Sequence, residues 1–190
     1  MTRFVFNTAA TLDGYLADRD HSLSWLFEVD GGTPDAPEHA DHFSAFLEGI
    51  GVTVLGSSTY EWLLRETGAL KDPAAWTSAI STKPAFLFTS RDLPTPPGAD
   101  LTVVSGDVTR HLDAIRDRAG DRDVWVMGGG DLVGQFADAG ALDEIQISVA
   151  PVTLGAGQPL LPRRLGADRL HLTSVEQRGQ FAHLTYRVGG

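Results

Sequence analysis

Short apolar runs alternate with amphipathic stretches along most of the chain. Phe4 to Ala10 reads as a first strand, and Thr11-Leu12-Asp13-Gly14-Tyr15 as a turn. A loop rich in Asp, Gly and Pro then runs to Pro37, broken by an apolar island at Trp25, Leu26 and Phe27. Long loops inside compact domains are often binding loops or lids. Glu38 to Glu48 has helical spacing, with Phe43, Phe46, Leu47 and Ile50 on one face. Val52 to Leu55 reads as a buried strand closed by Gly56, and Ser57 or Ser58 can cap the next helix, which carries Tyr60, Leu63 and Leu64. Ala85 to Phe88 and Leu101 to Val104 are strand-like, the first ending in Thr89-Ser90-Arg91. Asp107 is placed to cap a helix with Val108, Leu112 and Ile115 inward, stopped by Gly120. Asp123 to Met127 is a strand that runs into Gly128-Gly129-Gly130, and Leu132, Val133 and Phe136 follow at helical spacing. Leu142 to Val149 alternates, Pro151 to Gly157 is irregular, and Leu170 to Gln177 with Phe181 to Val188 reads as a closing antiparallel pair.

Strand and helix thus alternate before two final strands, which calls for a largely parallel sheet covered on both faces, made mixed by the closing hairpin. No repeat, low-complexity tract or linker divides the chain, so residues 1–190 are expected to form one domain.

The net charge of −10 argues against a nucleic-acid or anionic-membrane surface, since both need a basic footprint. The absence of cysteine removes disulfides, thiolate catalysis and cysteine zinc sites. No signal-peptide pattern and no membrane-length apolar run occurs, so a cytoplasmic protein is expected.

Ligands of open α/β sheets bind outside the carboxyl ends of the strands. Those ends are Gly56-Ser57-Ser58-Thr59, Thr89-Ser90-Arg91 and Met127-Gly128-Gly129-Gly130-Asp131-Leu132, which together offer hydroxyls, backbone N–H groups and a guanidinium. A glycine turn at a helix start suits a pyrophosphate. The plain alternative is a tight turn without a ligand, and the spacing is not the Gly-x-Gly-x-x-Gly fingerprint.

This ordered set resembles the dihydrofolate reductase superfamily, and within it the branch that includes the RibD C-terminal domain, the reductase domain of riboflavin biosynthesis. Thr11-Leu12-Asp13-Gly14-Tyr15-Leu16-Ala17 is similar to that branch's early signature. Val54-Leu55-Gly56-Ser57-Ser58-Thr59-Tyr60 is similar to its Gly-Arg-x-Thr-Tyr segment, with Ser57 where members often carry arginine. Gly140-Ala141-Leu142-Asp143-Glu144 and Pro151-Val152-Thr153-Leu154-Gly155-Ala156-Gly157 are similar to its late motifs. The resemblance implies a three-layer α/β/α fold with a mixed, mostly parallel sheet, NADPH as cofactor, a homodimer, and reduction of a small heterocycle such as 5-amino-6-(5-phosphoribosylamino)uracil. It places Gly128, Gly129 and Gly130 at the pyrophosphate and Ser58 and Thr59 near the phosphates. Ser90 and Arg91 fall near the adenosine 2′-phosphate, and Thr8, Ala9, Leu16 and Ala17 beside the nicotinamide.

Other residues carry open alternatives. Asp13 either borders the substrate or fixes its own turn. Trp25 and Asp30 have the five-residue spacing of a loop tryptophan and active-site carboxylate in dihydrofolate reductases, so Asp30 is the candidate proton donor. Its plain reading is the start of an Asp-Gly-Gly turn. Tyr60 either reaches the ligand or packs in the core. His39 and His42 share a helix face, but no third ligand with metal-site spacing follows. His111, His171 and His183 lie in surface-facing patterns. Neither a zinc-deaminase motif nor a Gly-x-Ser-x-Gly elbow occurs. The competing readings are a pterin reductase and a nucleotide-binding homologue without chemistry.

Overall fold

The computed structural model of the chain describes residues 2–29, 37–80 and 83–189. In chain order the strands are β1 (Phe4–Thr11), β2 (Tyr15–Ala17), β3 (Ile50–Gly56), β4 (Ala85–Phe88), β5 (Leu101–Val104), β6 (Asp123–Gly128), β7 (Glu144–Ala150), β8 (Gln158–Pro159), β9 (Leu170–Arg178) and β10 (Phe181–Val188). The α-helices are α1 (Ser24–Glu28), α2 (Pro37–Gly49), α3 (Ser57–Thr67), α4 (Pro73–Ile80), α5 (Leu112–Ala119) and α6 (Gly130–Asp138).

An eight-stranded sheet runs β5-β4-β3-β6-β1-β7-β10-β9. Every pairing from β5 to β7 is parallel, and β10 pairs antiparallel with β7 and β9. The parallel half is apolar on both faces because helices cover both. Phe4, Phe6, Val52, Val54, Val124 and Val126 pack with Ile115 of α5 and Phe136 of α6. On the opposite face Leu55 and Leu87 pack with Tyr60 of α3 and Trp76 of α4, while Phe43 and Phe46 of α2 meet the Trp125 ring edge-on at 5.5 and 5.6 Å. The mostly parallel sheet covered on both faces, made mixed by a C-terminal hairpin, is therefore present as the sequence pattern predicts.

Three elements differ from the sequence reading. The island at Trp25 is α1, which has no side-chain cap; Trp25 holds it by packing beside Val29, Ala150 and Phe181. Such a helix is stabilised by tertiary contact, which periodicity does not reveal. α4 has no marking pattern in the sequence, and it is fixed by burial of Trp76 and Ile80 against α3. Asp107 caps a 3-10 turn, its carboxylate accepting from the Thr109 amide at 2.9 Å, and α5 begins only after His111. The short β2–β8 pair also ties the segment after the first turn to the irregular segment after β7.

Candidate active site

A cavity of about 650 Å³ opens at the carboxyl ends of the parallel strands. Two helix starts face it. α3 begins after Gly56 and α6 after Gly129, and neither has a side-chain cap. The first-turn N–H groups of both helices thus lack the usual capping oxygen, which makes them donors for an anion. Between β6 and α6, Gly128 has φ +127°, a region that side chains rarely adopt, and the Gly128–Gly129 peptide is cis. A Cβ on Gly129 would meet nothing within 4 Å, whereas one on Gly130 would sit 2.4 Å from the Pro159 carbonyl oxygen. The turn is therefore open on the cavity side and tightly packed behind.

Nearly all residues assigned to a cofactor by resemblance line this cavity: Thr8, Ala9, Leu16, Ala17, Gly56, Ser57, Ser58, Thr59, Thr89, Ser90, Met127, Gly129, Gly130, Asp131 and Leu132. Gly128 and Arg91 do not line it. Gly128 is buried beneath the turn. Arg91 is held away by Glu61, one turn into α3, through a two-pronged ion pair of 2.9 and 2.6 Å. Among the described residues Asp131 is the one carboxylate on the wall. A hydrogen bond from Gln135 and the guanidinium of Arg163 hold it below the usual carboxylate range, so it stays ionised and turned towards its partners.

Of the substrate candidates, Trp25 alone reaches the cavity; its indole Nε1 is buried with no hydrogen-bond partner among the described residues. A buried donor of this kind costs stability unless something accepts from it. Tyr60 is fully buried in the core. Its hydroxyl donates to the Pro94 carbonyl at 2.7 Å, and burial pushes its pKa up. Asp13 is a clamp between loops. Its carboxylate accepts from Thr11 Oγ1 at 2.6 Å and from the Gly155 amide at 2.7 Å, also receiving the Leu154 amide. These donors, Thr11 foremost, hold its pKa below the ordinary value. Asp30 and the side chain of His39 lie outside the described residues.

Trp62 and Trp125 also line the cavity, and sequence reasoning gave neither a site role. Their apolar type signalled only burial.

A second cavity of about 270 Å³ lies on the α2 face of the sheet and shares Asn7, Thr8, Ala9 and Leu26 with the first. Two register rows cross its floor. One runs Asn7–Gln146–Thr185–Ser174, and the other Ala9–Ser148–His183–Glu176. Asn7 donates to Gln146 at 2.8 Å, and Ser148 Oγ lies 2.9 Å from His183 Nδ1. His183 is thus a half-buried wall residue and not the surface group its sequence pattern suggested.

A protein-family model, the RibD C-terminal domain, matches residues 3–184. The uncharacterised protein YwjB of Bacillus subtilis strain 168 is 29% identical over 182 residues, covering 96% of this chain and 95% of that protein. Among solved structures, a protein of Shewanella sp. PV-4 provisionally assigned to riboflavin biosynthesis is 25% identical, covers both chains in full and superposes with a TM-score of 0.76. Dihydrofolate reductase of Enterococcus faecalis, solved with NADP(H) bound, shares the fold at a TM-score of 0.61 and 12% identity, covering 99% of this chain and 97% of that one. With a family match over nearly its whole length and this strand-end architecture, the chain belongs to the RibD C-terminal domain family.

Proposed function

We propose that the chain is a reductase that binds NADPH across the strand ends and reduces a small heterocycle, of the ribosylated-pyrimidine kind or a close relative. The observation that carries this reading is the pair of uncapped helix starts and the glycine turn facing one cavity. The residues fit a dinucleotide. The α3 and α6 amides with Ser57, Ser58 and Thr59 would receive the pyrophosphate. Ser90 and Arg91 would receive the 2′-phosphate, and Thr8, Ala9, Leu16 and Ala17 would flank the nicotinamide. The Trp25 indole N–H supplies a donor at the same end. When bound, the cofactor supplies a hydride; the chain's task is to hold substrate against it and keep water out.

Arg91 must leave Glu61 to take a phosphate. Exposed ion pairs of this kind are worth about 0–1 kcal/mol, and a phosphate dianion binds guanidinium at least as well, so the exchange favours NADPH. The same pair leaves NADH as a usable second cofactor. The test follows nicotinamide absorbance while the purified chain is offered pteridines and ribosylated aminopyrimidines. Substrate-dependent oxidation of NADPH, faster than that of NADH, is expected. Cofactor binding without oxidation by any of them would leave a nucleotide-binding protein without this chemistry.

A further inference from the structure

The sheet-face cavity contains a cation with an unused donor among the described residues. The Arg178 side chain is 19% exposed and donates to Glu176 at 2.6 Å through Nη2. Its Nη1 is buried without a hydrogen-bond partner among the described residues. Among the described residues Arg178 is the sole lysine or arginine on the cavity wall, which also carries the imidazoles of His42 and His183, and Glu176 cancels its charge. Glu176 stays ionised, since Arg178 above all holds its pKa down. The wall thus offers a guanidinium donor beside a carboxylate acceptor, with no net charge from that pair.

Such a pair suits a hydroxyl, which accepts from one partner and donates to the other. It suits a phosphate ester poorly: Arg178, 19% exposed against 51% for Arg91, cannot turn away from its partner as Arg91 can, and Ser174 Oγ also donates to Glu176 at 3.1 Å, so that carboxylate stays against the dianion. From Ala9 to Glu176 the register row spans three strand spacings, roughly 14 Å, enough for a ring and an extended arm. We infer that the sheet-face cavity binds the arm of the substrate, and that this arm is hydroxylated and carries no phosphate, with Arg178 and Glu176 as its specificity-determining residues. The ring end then lies over Asn7 to Ala9, the floor shared with the cofactor cavity. This inference rests on the reductase reading for the ring's position, but the arm's chemistry comes from Arg178 and Glu176 alone.

The test titrates the full chain calorimetrically, with and without NADP+, using 5-amino-6-(5-phosphoribosylamino)uracil and its dephosphorylated form as probes. The dephosphorylated probe is expected to bind, and the phosphorylated one about tenfold more weakly. Arg178→Ala should weaken the dephosphorylated probe about tenfold or more while cofactor affinity holds. Glu176→Gln, which keeps the shape should the arginine variant fail to fold, should narrow the gap between the probes. Tighter or equal binding of the phosphorylated probe, no binding of either, or an unchanged gap in Glu176→Gln would overturn the inference. A separate NADPH titration keeps the two readings apart, because its failure removes the cofactor and leaves the probe comparison standing.

Discussion

The two cavities share the end of β1 yet are built from different materials. The strand-end cavity is made of main chain: two helix starts, a glycine turn and small hydroxyl residues. The sheet-face cavity is made of paired side chains brought together by strand register: Asn7 with Gln146, Ser148 with His183, Glu176 with Arg178. A main-chain site recognises what is common to many ligands, such as a pyrophosphate. A side-chain site can change with each substitution, so it is the place where relatives sharing this fold would differ in substrate.

The sharpest way to break the comparison is to disturb the main chain at the turn. Gly130→Ala would drive a Cβ to 2.4 Å from the Pro159 carbonyl and 2.5 Å from that of Leu160. Neither can yield as a flexible side chain does. Cofactor binding should be lost, and thermal unfolding should show a stability loss of about 1–3 kcal/mol. Normal binding in this variant would mean that the turn does not hold the cofactor.

A chemical substitution should do the opposite. Asp30→Asn, removing the candidate proton donor, is expected to lower turnover by about a hundredfold with little change in NADPH affinity. Unchanged turnover would assign proton delivery elsewhere, for which an ordered water is sufficient.

This contrast also explains what could be read from the sequence. Gly128 to Gly130, Ser57 to Thr59 and Thr89 to Ser90 are local patterns at strand ends, and all but the buried Gly128 line the predicted cavity. Local pattern failed where position depends on distant partners. Tyr60 follows the same strand end but turns into the core towards Pro94. Arg91 carries the right chemistry, but its partner Glu61 sits thirty residues earlier. The row Ala9–Ser148–His183–Glu176 draws on four strands, so no sequence window contains it. α1 and α4 carry no local signal for the same reason, being fixed by burial of Trp25 and Trp76.

Asp13 offers a third test, of the frame and not of either site. Its carboxylate ties the first turn to Leu154 and Gly155. Because its folded pKa is lowered, its contribution is complete above the unfolded carboxylate value of about 4 and is lost as pH falls through the folded value. Asp13→Asn should therefore melt at a lower temperature than the parent at neutral pH, with the difference shrinking as acid is added below pH about 4. A constant difference across that range would remove the carboxylate charge from the explanation.

The smallest effect is expected at the edge of the strand-end cavity. Glu61→Gln frees Arg91 and should tighten NADPH relative to NADH by a few-fold, about the worth of an exposed ion pair. Arg91→Ala should weaken NADPH more than NADH. Equal changes for both nucleotides would take this pair out of 2′-phosphate recognition.

The most direct measurement uses the protein's own tryptophans. Trp25, Trp62 and Trp125 all line the strand-end cavity, so a reduced nicotinamide bound there should quench their emission and emit by energy transfer. The account predicts saturable quenching with NADPH, tighter than with NADH, and none in Gly130→Ala. Absence of quenching by either nucleotide in the parent chain would contradict it.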